Sequence, residues 1–346
     1  MTLIKGIEGD YIETKKGNLY FDVKGLLHPD DKKIAFLRFF PDPKGDRVKN
    51  GKKFSKIYDI DKRYSFLREN FPEYLFFSKE LDIEIQGIKN EDIKKIYSPI
   101  EYLKELFNKT NLIPIEEHSL NLCELFIKEG AVHKDSIGIT GSSMIGLNNQ
   151  DSDIDLIIYG TEQSLEFQNR IKDIFSTSKE CRQYTFEEYK NHYYNRFNGS
   201  SITFVEFLKS EKKKLHQGQY KNIDFFIRYI KSPKDWQGNF YDFLYKNYGR
   251  IKLKAEIIDS TYSIFTPCIY TIKVKKILER NIIVENDRKK NIVEVSSFRG
   301  RYCEQAIQGD KVLIEGKLEK VTYKKSKEYY RILLTNQRQD KMTLIN

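Results

Sequence analysis

Asp153 and Asp155 stand one residue apart at the end of the run Gly141-Ser142-Ser143-Met144-Ile145-Gly146-Leu147-Asn148-Asn149-Gln150-Asp151-Ser152-Asp153-Ile154-Asp155-Leu156. On a β-strand, residues two apart emerge on the same face. Ile154 and Leu156 then turn to the other face, towards a core. Two adjacent carboxylates repel each other, which disfavours ionising both. A hard cation such as Mg²⁺ or Mn²⁺ relieves the repulsion and accepts phosphate oxygens as further ligands. Gly141 lacks a Cβ, so the chain can turn sharply there and approach a phosphate. The amides of Ser142 and Ser143 would open a short helix, where partial positive charge favours an anion, and the Ser142 hydroxyl adds a donor. The stretch therefore reads as strand, glycine turn, short helix and apolar strand with two acids. That layout suits a nucleoside triphosphate, ATP among the candidates, handled with divalent metal. Two metals there could activate an attacking hydroxyl and stabilise a pyrophosphate leaving group. The competing reading is an Asp-rich loop running into a buried strand, with Asp151 at the turn.

The elements around this run divide the chain into three parts. Residues 1–95 alternate in short runs, with strands expected at Leu19–Val23 and Lys33–Phe40, a basic loop from Asp42 to Lys53, and a helix from Arg63 towards Pro72. Residues 96–258 carry helices expected from Pro99, from Pro114 to Lys128, and near 165–175, 186–196 and 204–215. The β-type run Asn222–Arg228 follows. Residues 259–346 read as consecutive short strands with glycine turns, the pattern of a small barrel.

Composition narrows the class of molecule. With 346 residues and 39 % hydrophobic content, the chain can bury a real core and is not a disordered one. The net charge of +10 favours an anionic partner, with RNA the expected one. The basic residues singled out for such contact are Lys49, Lys52, Lys53, Arg299, Arg301, Lys324 and Lys325. Aromatics near the later ones could stack bases while cations track the backbone. Cys123, Cys181, Cys268 and Cys303 lack paired spacing, which argues against a structural zinc site and for reduced thiols in a cytoplasmic protein. No apolar run reaches membrane-spanning length.

The Gly-Ser turn followed by Asp-Ile-Asp-Leu resembles the signature of the nucleotidyltransferase superfamily typified by DNA polymerase beta and the CCA-adding enzymes. Thr140 departs from the apolar residue usual before the glycine. The chain as a whole looks similar to an archaeal group with such a domain in its middle, through His28-Pro29, Ala35–Phe40, Asp224–Arg228 and Phe265–Cys268. The resemblance implies a central mixed sheet with helices; with the strand patterns on either side, the expected fold is α+β, flanked by an N-terminal β-rich domain and a C-terminal small β-barrel whose run from Gly309 to Glu319 resembles oligonucleotide-binding (OB-like) folds. The superfamily resemblance also implies a third carboxylate on a strand beside the Asp-x-Asp strand, for which Asp224 is the candidate, ahead of Glu206 and Glu256. Arg228, four residues on and on the same face, would meet phosphate or neutralise Asp224.

The expected activity is transfer of a nucleoside monophosphate from a triphosphate to an acceptor hydroxyl, on RNA. Asp153, Asp155 and Asp224 would be the metal-binding, catalytic acids. Gly141, Ser142, Ser143 and Arg228 would bind the nucleotide. Two alternatives stay open: an inactive RNA-binding or ribosome-associated module, and transfer to a protein or small molecule.

Overall fold

The computed structural model describes residues 5–197, 200–281 and 292–345. The chain forms two compact units. One comprises Met1–Ser78, Ile83–Arg182 and Gly218–Phe240; the other comprises Lys79–Asp82, Gln183–Gln217 and Tyr241–Asn346. The expected segment 1–95 thus falls almost wholly in the first unit, together with most of the expected central segment.

The first unit holds two sheets. Strands β1 (Tyr11–Thr14), β2 (Tyr20–Val23), β3 (Lys32–Pro41), β4 (Arg47–Lys49), β5 (Lys52–Lys56), β6 (Leu75–Ser78), β7 (Ile83–Lys89) and β8 (Ile93–Tyr97) form the N-terminal sheet. Its main path runs β4-β5-β3-β2-β1-β8, with β7 joining β3 to β6. The basic stretch expected as a loop contains the hairpin β4–β5. Asn50 and Gly51 at its tip both have positive φ, 49° and 73°. An Asn-Gly pair takes that conformation at little cost and turns two strands directly into each other; the many lysines hid the alternation. Helix α1 (Ile60–Asn70) begins where the Asp59 carboxylate accepts from the Lys62 amide at 3.0 Å. It covers one face of the sheet, where Leu67 joins Phe21, Leu37 and Ile88 in a buried cluster. The other face presents Tyr11, Tyr20, Phe39 and Phe54 to Met144, Ile145 and Leu147. The N-terminal sheet is thereby packed onto the Gly-Ser turn.

Helices α2 (Pro99–Phe107) and α3 (Pro114–Lys128) begin at proline, whose missing N–H is not needed in a first turn. They precede β9 (Ile137–Ile139), α4 (Gly141–Met144), β10 (Ile154–Tyr159), α5 (Thr161–Thr177), β11 (Cys181–Arg182), β12 (Gln217–Tyr220) and β13 (Ile223–Ile230). The second sheet has the order β11-β12-β13-β10-β9, and it is mixed. Strand β10 runs parallel to β13 and antiparallel to β9. Ile154, Leu156 and Ile158 bury one face of β10, as the alternation requires.

The second unit contains α6 (Phe186–Phe197), α7 (Phe204–Glu211) and one sheet of β14 (Phe243–Asp259), β15 (Cys268–Asn281), β16 (Ile292–Ser297), β17 (Lys311–Tyr323), β18 (Lys327–Leu333) and β19 (Lys341–Ile345). This sheet starts at Phe243, ahead of the expected boundary at 259. The register of β14 with β17 shifts between Asn247 and Arg250, around Gly249, and this irregularity breaks the alternation that would reveal one long strand. Helix α7 ends at Glu211, short of the expected 215. Glu206 is used to cap that helix: its carboxylate accepts from the Thr203 amide at 2.8 Å, and the Thr203 hydroxyl accepts from the Glu206 amide at 3.3 Å. Glu256 pairs with Lys275 on the neighbouring strand. Both alternatives to Asp224 therefore have structural work in the second unit. All four cysteines are buried free thiols. Among the described residues no helix is long and apolar enough to cross a membrane.

Candidate active site

The loop from β9 to α4 is held against the first turns of β10. The Thr140 amide donates to the Asp155 carbonyl at 2.9 Å. The Thr140 hydroxyl donates to the Gly9 carbonyl at 2.6 Å, which accounts for a polar residue where the superfamily prefers an apolar one. Gly141 has φ of +77°, and a Cβ there would collide with a carboxylate oxygen of Asp155. Both facts require glycine. The turn thus lies directly over the carboxylate, which is the closeness a phosphate bridging the two would need.

Helix α4 is a single turn, so its amides cannot find partners within it. The serine hydroxyls are fixed from outside. Ser142 Oγ donates to Ser152 Oγ at 3.2 Å, and Ser152 in turn accepts from the Asn149 amide at 2.9 Å. Ser143 Oγ lies 3.1 Å from the Tyr102 hydroxyl, which donates to Glu116 at 3.1 Å. Helices α2 and α3 therefore position the turn through Tyr102 and Glu116.

Asp155 is partly buried, and burial pushes its carboxyl up to about 6. The Asp153 charge pushes the same way, while Arg228, Lys56 and Arg38 oppose it. A carboxylate kept above its ordinary range by burial and a like charge is a group that gains from a bound cation. The pair fits Mg²⁺ or Mn²⁺ on donor chemistry, since both ligands are hard oxygens. Among the described residues, no three Asp, Glu, His or Cys side chains come close enough to hold one ion.

Asp224 sits on β13 next to β10. The register pairs Ile154 with Phe225 and Asp155 with Phe226, so alternation puts Asp224, Phe226 and Arg228 on the face of Asp153 and Asp155. The Asp224 carboxylate accepts a hydrogen bond from the Gln219 side chain. Arg228 is drawn into a network that sequence reasoning missed. Its guanidinium meets Glu8 at 2.8 Å and Asp22 at 3.7 Å, and Lys24 meets both acids at 2.9 Å. Burial pushes the Asp22 carboxyl up, but Lys24, Arg228 and Arg38 outweigh it and hold it near 2.

The structure surrounds Asp155 with charges from the N-terminal sheet, and none of these was legible as a site. Burial and the neighbouring Arg38 lower the Lys56 ammonium to about 8, against the pull of Asp153 and Asp155. The available signal was a charge inside an otherwise apolar strand, as at Arg38 between Leu37 and Phe39.

Among the proposed nucleic-acid contacts, Lys52, Lys53, Lys324 and Lys325 are exposed. Lys49 is partly buried: its ammonium donates to the Tyr97 hydroxyl at 3.1 Å and lies 4.8 Å from the Tyr20 ring centre. Arg299 donates to the Thr335 carbonyl and the Gln337 side chain, each at 2.8 Å. The Arg301 guanidinium lies 5.5 Å from the Tyr302 ring centre.

A model of the nucleotidyltransferase domain matches residues 115–333, which is more than half of the chain and includes the Gly-Ser turn, both aspartates and β13. The chain belongs to the nucleotidyltransferase domain family. It is similar to an uncharacterised protein of Methanocaldococcus jannaschii, with 30 % identity over 338 residues covering 95 % of each chain. No solved structure matches this nucleotidyltransferase significantly. The family match establishes a nucleotidyltransferase enzyme whose substrate class is the nucleoside triphosphates, in a superfamily that generally uses divalent metals.

Proposed function

We propose that this enzyme transfers a nucleoside monophosphate from a triphosphate to a hydroxyl on RNA, using Mg²⁺ or Mn²⁺ and releasing pyrophosphate. One observation carries the reading: Gly141 lies so close to Asp155 that no other side chain fits, over a carboxyl raised to about 6. Asp153 and Asp155 would hold the metal, which supplies charge neutralisation at the phosphates and acidifies the attacking hydroxyl. Asp224, on the same face of the next strand, is the third acid of this scheme. The amides of Ser142 and Ser143, and the Ser142 hydroxyl, approach the phosphates, and Arg228 keeps the acids' surroundings electrically balanced. The acceptor oxygen bonds to the α-phosphorus as the bond from that phosphorus to the α,β-bridging oxygen breaks; pyrophosphate leaves with the electron pair, and the hydroxyl proton passes to Asp224. Positioning and charge stabilisation do most of the work in such a transfer.

The RNA acceptor rests on net charge and on the second unit. Its pairings run β14 to β15, β15 to β16, β16 to β18, β18 to β17 and β17 back to β14, with β16 and β18 parallel. A path that returns on itself supports a small closed barrel of oligonucleotide-binding type. Exposed Lys324 and Lys325 lie on the turn between β17 and β18. The test is incubation of the full chain with α-labelled nucleotides, Mg²⁺ or Mn²⁺, total RNA, protein extract and small-molecule extract, followed by locating the label. Label in RNA supports the proposal. Label confined to protein or small molecules favours the other acceptors, and RNA binding with no incorporation of any nucleotide favours a binding module.

A further inference from the structure

We propose that Arg38 and Lys56, carried by the N-terminal sheet and outside the matched segment 115–333, bind the triphosphate of the nucleotide. The inference rests on the nucleotidyl-transfer reading above and extends its binding site to residues that the family match does not cover.

The backbone puts Lys56 on the face that meets the turn, and Arg38 reaches the hydroxyl of Tyr11 on that same face. On β2, successive residues Tyr20 and Phe21 pair with Phe39 and Leu37 of β3, so Arg38 is the extra residue of a β-bulge. A bulge of this kind re-aims a side chain and is common beside active sites. Its effect is visible in the packing. Leu37 joins the cluster under α1, while Phe39, two residues on, faces Met144, Ile145 and Leu147 behind the Gly-Ser turn. Lys56 pairs with Phe39 across the β3–β5 ladder, so it belongs to the face that meets the turn. Its ammonium lies 4.8 Å from the Tyr58 ring centre and 5.8 Å from that of Phe39.

The neighbouring cations are committed to carboxylate or carbonyl groups of the protein, whereas Arg38 meets the Tyr11 hydroxyl and Lys56 two aromatic rings. Arg228 is paired with Glu8, and Arg47 donates to the Leu147 carbonyl at 2.5 Å. Among the described residues, neither Arg38 nor Lys56 has an ion-pair partner within 4.0 Å. Arg38 Nε is buried with no hydrogen-bond acceptor. Both cations feel the charge of Asp155, and Lys56 that of Asp153 as well. Once a divalent cation neutralises the two aspartates, Arg38 and Lys56 become surplus positive charge in a partly desolvated place. A triphosphate answers that surplus, with the arginine fork and the lysine point charge each reaching phosphate oxygens. A purely structural role, balancing the aspartates, would show no preference for the number of phosphates.

The experiment measures equilibrium binding of the four ribonucleoside triphosphates and their monophosphates to the full chain in Mg²⁺. Lys56→Met and Arg38→Gln should each weaken triphosphate binding by about tenfold or more while hardly changing monophosphate binding. Lys56→Arg should restore most of the preference, and circular dichroism should show each variant folded. If triphosphate and monophosphate affinities fall in parallel, or neither moves, in folded variants, the inference is overturned and nucleotidyl transfer stands. If the wild-type chain binds no triphosphate at all, the reading beneath it falls too, and the two failures are thereby told apart.

Discussion

Asp155 in the first unit and Glu211 in the second are both desolvated carboxylates, and their surroundings push them in opposite directions. Burial raises Glu211, but the Lys214 charge and His192 more than compensate and hold the carboxyl below its usual range. Lys214 lies 2.8 Å away, His192 3.3 Å, and Gln217 donates at 2.7 Å; Lys214 also donates to the Arg301 carbonyl at 2.6 Å. These contacts of Glu211 are answered within the unit, so the cluster ties the segment after α7 to α6 and to the turn Gly300–Tyr302. Around Asp155, burial and the Asp153 charge prevail over the cations. A protein selected only for stability has no use for that arrangement. The satisfied cluster holds the fold, and the unsatisfied one is where chemistry is to be sought.

The sharpest way to break this comparison is to neutralise each centre in turn. Asp153→Asn with Asp155→Asn should remove all nucleotide incorporation and leave the protein as stable as before or more so, because a repulsive pair is gone. RNA affinity should stay the same or rise. Glu211→Gln should do the reverse. It leaves Lys214 buried beside a neutral group, and the melting temperature of the second unit should fall by roughly 5–10 °C, with transfer per folded molecule retained. Paired thermal melts and incorporation assays check both.

Gly141→Val comes next. It places a side chain where the Asp155 carboxylate already sits and demands a φ of +77° from a β-branched residue. Nucleotide binding should be lost by calorimetry while the second unit keeps its melting transition. Normal nucleotide binding by a folded Gly141→Val protein would place the phosphates elsewhere.

Stability against pH sharpens the contrast further, because the two carboxyls contribute with opposite sign. Asp155 is raised from 3.8 to about 6, so over that window the folded state keeps a proton the unfolded chain has released. Stability therefore declines as pH rises from about 4 to about 7, by at most about 3 kcal/mol from this group. Glu211 is lowered, so its stabilisation is present above its unfolded value of 4.5 and is lost as pH falls through the acid range. Asp155→Asn should flatten the first trend, and Glu211→Gln the second. Denaturant melts between pH 3 and pH 8 read both slopes.

The smallest expected effect concerns RNA. Charge reversal at Lys52 and Lys53, or at Lys324 and Lys325, should weaken binding across sequences and reduce the salt dependence by about one unit per lost phosphate contact. Lys49, Arg299 and Arg301 already lie against protein groups, so reversal there should damage folding before it changes the salt slope. Filter binding at several salt concentrations separates the two groups.

What could be read from the sequence follows the range of the interactions involved. The Gly141 turn, the Asp153–Asp155 strand and the proline-started helices are local patterns, and spacing alone exposes them. The β4–β5 hairpin was hidden under a lysine-rich composition, although Asn50-Gly51 announces it. Strand β14 was hidden by its own irregularity near Gly249. Arg38, Lys56, Glu8 and Asp22 lie more than eighty residues before the motif in the chain. Long-range contacts, among them the packing of Phe39 and Phe54 onto Met144, Ile145 and Leu147, bring their sheet to the turn, and no periodicity reports such contacts.

The most direct measurement of the central claim is pyrophosphate release by the wild-type chain, the Asp153→Asn/Asp155→Asn variant and the Glu211→Gln variant. Each is supplied with the four nucleoside triphosphates, Mg²⁺ or Mn²⁺ and total RNA below the lowest melting temperature of the three. Release by the wild type and by Glu211→Gln, with none from the double aspartate variant, is the expected result. Release that survives the loss of both aspartates would contradict the account.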